Sequence, residues 1–429
     1  MPSIIAKYKD NPLLVNYSKI FSVDFLVRAS NFILLPVYLS IMSQEEFGLY
    51  SYIFAIISTF SLVLNFGLYI PQSKLYQDTE DKKNRGILIY SINVILALSL
   101  FFTLSITYFT GFDYLIIKLL FKNYVNYRAY RIYILIAIIM TIYSYMLINY
   151  FLTSQKLVYV QVYNLLRVFI VNSIVILALY HFGSDKVETR LQFNYMTEFF
   201  LLLLFGYFYV KSMKFEFDKK IAFHSIKLAF PIMISAFLGI FLNFSDRFFL
   251  EKYGDYRQLA VYNLGITISS IIPIIFASFQ NIWLPFFFKE KNVYQNKEKT
   301  KKIIIKLALF FLVLAVFIFV GVYFTFILGI IRDEYKSILT VLPLILITQI
   351  CIAITPLFSN YIVYFERTHI ALYTGIPLVF VSIGVNLTLI PIYGIFGAAI
   401  ASLIINLAYM IMYYVISKNL IKTNLYKNT

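Results

Sequence analysis

Six ionisable residues lie inside stretches otherwise too apolar to hold them: Asp24, Arg28, Arg167, Glu198, Asp246 and Arg247. A charge near the centre of a bilayer costs roughly 2.5–3.5 kcal/mol on insertion scales, so each needs a partner, water or a ligand. Asp24, Arg28 and Asn31 recur at i, i+4 and i+7, which stacks them on one helical face. Two readings are open there. Asp24 and Arg28 neutralise each other within the helix, or Arg28 offers its cation to an anionic ligand. Arginine suits the second role because its planar fork stays charged and can grip a phosphate bidentately. Arg167 follows Gln161 and Asn164 along one polar stripe with no acid nearby in sequence. Its partner must be Glu198, from another helix, or the ligand. Glu198 is then either that partner or a carrier of protons through the membrane, a role intramembrane carboxylates take. Asp246 and Arg247 stand close to a helix end, where snorkelling to the interface competes with a role at the ligand.

These residues must be positioned by helices that cross a membrane. The stretch from Phe230 to Pro285 holds two long apolar segments flanking a short charged turn. Each has about 20 apolar-dominated positions, enough to span a hydrocarbon core of about 30 Å. Ser235, Gly239, Asn243 and Asp246 share one face of the first, and Asn263, Thr267 and Ser270 share one face of the second. Such a stripe suits a helix lining a watery cavity rather than one facing lipid. The whole chain reads the same way. Of its 429 residues 61% are hydrophobic and 14% charged, and the mean hydropathy is +0.79, so the class is a polytopic membrane protein. Continuous apolar runs exclude a β-barrel, whose strands alternate.

The expected fold is all-α, with about twelve transmembrane helices in two pseudo-symmetric six-helix bundles, residues 1–215 and 216–429. The spans are expected near 18–40, 48–70, 87–110, 132–152, 158–181, 191–210, 228–250, 260–287, 303–330, 337–362, 368–390 and 395–417. The halves echo each other: SQEEFGLYSYIFAIIS (43–58) resembles DYRQLAVYNLGITISS (255–270), with Tyr50 against Tyr262. A six-plus-six duplication is what two rocking halves leave in a sequence. No cleavable signal peptide is expected from the polar first ten residues.

Most of the 37 Lys and Arg fall in loops that share a side with the N-terminus, so both termini are expected in the cytoplasm. The basic 111–131 loop weighs against that orientation. The net charge of +16 follows from this topology and from anionic membrane lipid. Nucleic acid is excluded as a partner, since no soluble basic surface is present. The run KEKNVYQNKEKTKK (289–302) is expected to be a solvated loop, and Lys306 to snorkel. The single cysteine, Cys351, lies in an apolar run as a small core residue, and His181, His224 and His369 are far apart. No metal, no cofactor and no catalytic residue is expected.

Three stretches carry a family resemblance: FLVRASNFILLPVYLSIMSQEEFGLYSY (25–52); the 230–285 stretch with its SDRFFLEKYG, AVYNLG and WLPFF; and VNLTLIPIYGIFGAAIASLI (385–404). Together they resemble the polysaccharide-transporter branch of the MOP exporter superfamily, the O-antigen and teichoic-acid flippases usually called Wzx. Ser402 replaces the usual Thr of the third pattern. Gly394, Gly397, Ala398 and Ala399 also let helices approach closely.

The resemblance implies two bundles around a cavity that opens alternately to either face of a bacterial cytoplasmic (inner) membrane. It implies a flippase moving undecaprenyl-diphosphate-linked oligosaccharide from the inner to the outer leaflet, for O-antigen, lipopolysaccharide or capsule biosynthesis. A polysaccharide polymerase and a chain-length regulator are the partners to expect. On that reading Arg28, Arg167 and Arg247 meet the diphosphate or acidic sugar, while Asp24, Glu198 and Asp246 serve as coupling groups or charge partners. Only Arg28 and the Asp246–Arg247 pair fall within the matched motifs. The rivals are a multidrug or cation exporter of the same superfamily, which favours an acid-lined cavity, and a membrane-embedded polymerase, which usually carries a large Arg-rich outer loop.

Overall fold

The computed structural model describes residues 30, 33–120, 127–182, 185–365, 367 and 370–425. Among them the secondary structure is helical throughout. Among the described residues nine helices are long and apolar enough to cross a membrane, so this is a multi-pass membrane protein. The first expected span, 18–40, and with it Asp24, Arg28 and Asn31, lies largely outside the described residues. So does His369.

The chain forms two compact units. The first comprises residues 1–34 and 52–237, the second 35–51 and 238–429. Of the three boundaries, 34/35 falls inside α1, a short helix over residues 33–41, 51/52 inside α2 (Gln44–Leu64) and 237/238 inside α10 (Lys219–Asn243).

In unit one, α3 (Tyr69–Asp78), α4 (Lys82–Thr110), α5 (Phe112–Leu120), α6 (Tyr127–Thr153), α7 (Leu157–Leu166), α8 (Asn172–His181) and α9 (Lys186–Val210) follow one another. Their starts are written in short polar residues. Asp81 accepts from the Asn84 N–H at 3.0 Å, and Asp185 from Val187 and Glu188 at 2.9 and 3.0 Å. Each such cap contributes about 1 kcal/mol. Helix α4 stops at Gly111, whose φ of 66° closes the end in the left-handed region. Within the basic 111–131 stretch, residues 112–120 and 127–131 are helical. Asp113 opens α5 and is buried, and Arg131 grips it with Nε at 2.5 Å and Nη2 at 3.0 Å.

Unit two holds α11 (Ser245–Tyr253), α12 (Tyr256–Ser269), α13 (Ile271–Lys289), α14 (Val293–Ile327), α15 (Ile338–Tyr364) and α16 (Ile370–Leu425). The expected span 260–287 is interrupted at Ser270. Pro273 lacks the N–H that would bond the Ser269 carbonyl, so the helix is weakest there. Helix α16 contains the eleventh and twelfth expected spans, separated at Gly394 (φ 55°, ψ −129°). An added Cβ on Gly397 would sit 2.2 Å from the Leu389 carbonyl oxygen, so only glycine permits that return of the chain. The 289–302 run is a helix start rather than a loop. Asn292 caps α14 by accepting from Gln295 N at 3.0 Å, and the Lys, Glu and Gln that follow are good helix formers. At 35 residues, α14 is about 52 Å long, well beyond a hydrocarbon core of about 30 Å.

Candidate functional site

Two polar clusters, one in each unit, are built around buried carboxylates that the sequence singles out, Glu198 and Asp246. In unit one Glu198, on α9, is fully buried. Arg167 reaches it with a single nitrogen, Nη2, which lies 2.9 Å from Oε1 and 3.1 Å from Oε2. Ser144 of α6 donates to Oε1 at 2.7 Å. Ser144 has only one hydroxyl hydrogen, so the 2.6 Å contact between Ser144 and the Tyr163 hydroxyl must be donated by Tyr163. The result is a directed chain, Tyr163 to Ser144 to Glu198.

Arg167 owes its position to a local irregularity. Residues Arg167–Val171 form a π-helical turn between α7 and α8, the kind of one-turn bulge that re-aims a side chain within an otherwise regular helix. Its side chain keeps 38% of its exposure while Glu198 keeps 1%. Among the described residues the ion-pair partner shown for the guanidinium is Glu198. Beside the turn, a cavity of about 230 Å³ is lined by Leu165, Val168, Phe169, Asn172 and Ser173, together with Ser30 and Leu34.

In unit two the carboxylate is Asp246, buried near the start of α11. It accepts the Tyr262 hydroxyl at 2.6 Å. Arg247 donates from Nε to Asn263 Oδ1 at 3.0 Å. One residue earlier, Ser245 and Ser382 share a hydrogen bond of 2.7 Å, and Asn386 donates to Ser245 at 3.0 Å. The S-D-R of α11, the Y-N of α12 and Asn386 of α16 therefore meet in pairs.

The 40–48 segment is fastened to the same unit. An added Cβ on Gly48 would fall 1.9 Å from the Tyr256 carbonyl oxygen, a backbone-to-backbone approach that any side chain would block. Glu45 pairs with Arg257 at 2.7 Å. Arg332 donates to the carbonyls of Ser40 and Met42.

Of the six residues singled out in the sequence, Arg167 and Glu198 are brought together, while Asp246 and Arg247 lie beside each other on different partners. Asp24 and Arg28 are outside the described residues. Sequence reasoning missed Ser144 and Tyr163, which carry no motif. It also passed over Tyr262 as a ligand of Asp246, although the A-V-Y-N-L-G motif marked its position. Among the described residues no group of three or more His, Cys, Asp or Glu is arranged to hold a metal ion.

A family model described as polysaccharide biosynthesis protein matches residues 13–291. Comparison with curated proteins finds no match. Among solved structures, the lipid II flippase MurJ in an inward closed conformation superposes with a TM-score of 0.72 at 16% identity, over 93% of this chain and 87% of that one. A multidrug resistance MATE family transporter of the MOP superfamily, inward-facing, gives 0.71 at 13% identity, over 93% and 98%. An outward-facing MATE transporter gives 0.62 at 14% identity, over 95% of each chain. The fold is thus the all-helical MOP/MATE-like one, shared by transporters and flippases.

Proposed function

This chain belongs to the polysaccharide biosynthesis protein family, and from that premise we propose that it is a lipid-linked oligosaccharide flippase rather than an enzyme. Its substrate is undecaprenyl-diphosphate carrying a short oligosaccharide, turned from the inner to the outer leaflet of a bacterial cytoplasmic membrane for surface polysaccharide such as O-antigen or capsule. Both termini lie in the cytoplasm. The observation that carries the reading is the family match over residues 13–291, on a fold that a lipid II flippase also adopts.

The mechanism follows from the physical problem. A diphosphate cannot cross hydrocarbon unaided, so a polar, cationic path must replace its hydration while the prenyl tail stays in lipid. Arg167 suits this role. One nitrogen is committed to Glu198, and the rest of a partly exposed guanidinium is left for an anionic oxygen. Arg28 and Arg247 are the further substrate contacts we propose, with Asp24, Glu198 and Asp246 as coupling groups or charge partners. The hydroxyl chain from Tyr163 through Ser144 to Glu198 could relay a proton if an ion gradient drives the cycle. The rocking bodies are the halves 1–215 and 216–429, and a polysaccharide polymerase and chain-length regulator act next on the product.

The likeness to MATE transporters is nearly as close as that to MurJ, so multidrug export is the second reading. A leaflet assay in a strain lacking the gene separates the two. Single-unit, diphosphate-linked oligosaccharide should accumulate on the cytoplasmic side while surface polymer disappears, and the wild-type gene should reverse both. Drug sensitivity with normal surface polymer would replace this proposal with the exporter. Single units reaching the outer face unpolymerised would replace it with a polymerase.

A further inference from the structure

Helix α14 is pinned along one face and bare along the other. Asn296 Nδ2 donates to the Phe287 carbonyl at 3.0 Å, and the Tyr361 hydroxyl donates to Thr300 Oγ1 at 3.1 Å. Val293, Asn296, Thr300 and Phe311 are buried on that side. Neutral hydrogen bonds and packing therefore fix the rotation of the helix, and with it the opposite face. There Lys301, Lys302 and Lys306 are exposed. Among the described residues none of the three has an ion-pair partner, whereas Lys299 pairs with Glu290.

Lys301 and Lys302 project about 100° apart around the helix axis. Ile305 stands between them one turn on, at i+4 and i+3, and Leu309, Leu312 and Val316 continue its stripe. These four apolar side chains keep between 49% and 64% of their exposure. The stripe runs about 16 Å from Ile305 to Val316, close to half of a hydrocarbon core of about 30 Å. Two cations thus fork around the head of an apolar track one leaflet deep. A phospholipid presents its phosphate and its acyl chains in that same order.

We infer that this face of α14 binds an anionic glycerophospholipid. Lys301 and Lys302 hold the phosphate, Lys306 reaches up to it from one turn deeper, and the acyl chains lie along Ile305, Leu309, Leu312 and Val316. Glu298, one turn before the fork and partly buried, opposes the anion. A second copy of the chain fits poorly, because a two-fold axis along the bilayer normal would set these lysines against their own counterparts. A soluble acidic partner would meet the lysines but leave the stripe uncovered. The site requires only that α14 crosses the bilayer, so it is independent of the flippase reading.

The test places a reporter on the stripe. The full-length protein carrying Leu309→Trp, with Trp283→Phe to remove the sole native tryptophan, is reconstituted in phosphatidylcholine vesicles. These contain a minor fraction of either brominated phosphatidylglycerol or brominated phosphatidylcholine. Bromine quenches indole emission on contact, so the ratio of quenching reports which lipid occupies the stripe. Phosphatidylglycerol should be enriched about tenfold at low salt, and less in about 1 M salt. Lys301→Gln, Lys302→Gln and Lys306→Gln together should bring the ratio to about one, and Glu298→Gln should raise it. Thermal unfolding of each variant checks its fold, and the salt series needs no lysine variant.

Equal quenching by the two lipids while all the lysines are present would overturn the site, as would a preference that survives the triple change. An indole that neither lipid quenches would show the stripe covered by protein, a second copy or another membrane partner, and would overturn it too. Displacement of brominated phosphatidylglycerol by stoichiometric undecaprenyl phosphate would give the face to a prenyl carrier instead of a glycerophospholipid.

Discussion

The Tyr262 hydroxyl donates to Asp246 at 2.6 Å and so ties α12 to the start of α11 through a buried carboxylate. Removing that donor should cost about 1–3 kcal/mol, since the carboxylate stays buried with one hydrogen bond fewer. Tyr262→Phe is expected to lower the unfolding temperature in detergent, and Asp246→Asn, which keeps an acceptor for Tyr262, to lower it less. Equal unfolding temperatures for wild type and Tyr262→Phe would show that the bond contributes nothing.

The Arg167–Glu198 pair admits a sharper separation of stability from transport. Glu198→Ala leaves the arginine and Ser144 without their acceptor and should reduce membrane abundance, because breaking one side of a buried pair costs about 3–5 kcal/mol. That range is an upper bound here, given the 38% exposure of Arg167. The double change Arg167→Met with Glu198→Leu should recover most of the abundance yet show less than a tenth of the surface polymer. Full polymer in the double variant would make the pair purely structural.

Outside the membrane, Lys299 hydrogen-bonds Glu290 and, with the Asn292 N–H, holds that carboxyl below the ordinary glutamate range. A lowered folded-state pKa stabilises the protein at pH above the unfolded value, and the effect fades as pH falls through the lowered one. Lys299→Gln should therefore unfold at a slightly lower temperature than wild type near neutral pH, with the two converging as pH falls through the lowered value. A difference that persisted in acid would point to packing by the lysine stem.

Gly394 holds a backbone conformation, φ 55° and ψ −129°, that side-chain-bearing residues rarely adopt. Alanine there should cost about 1–3 kcal/mol from the backbone alone, and its Cβ would meet Gln258 Oε1 at 2.9 Å. Gln258→Ala relieves only the second cost. The double variant should therefore remain below wild type in abundance on a membrane blot. Restoration to wild-type level would assign the whole effect to the side-chain clash.

Much of the frame was legible because apolar run length and helix caps are local properties. The break at Gly394 falls between the expected spans 368–390 and 395–417, and Glu198 was one of the two partners open to Arg167 because a lone intramembrane cation demands an acid or a ligand. The helical start of α14 was hidden by its charge: a run of lysines looks solvated whether or not it is coiled, and the Asn292 cap is the only local sign. The partners of Asp246 and Ser245, Tyr262 and Asn386, lie 16 and 141 residues away, so only the tertiary packing selects them from many other polar residues. The boundaries of the two units were illegible for a related reason. They fall within α1, α2 and α10, inside continuous helices where no turn chemistry marks them.

The π-turn at Arg167 also has a genetic meaning. A helix carrying one residue too many is what a single-codon insertion leaves behind, and each residue added or removed rotates the flanking segment by about 100°. Deleting one residue from 168–171 would leave a span still long enough for the membrane, but with Arg167 turned away from Glu198. Point substitutions can adjust the strength of that ion pair in small steps. Its existence depends on the reading-frame length of five codons, so the pair would be gained or lost in a lineage by an insertion or deletion rather than by gradual drift.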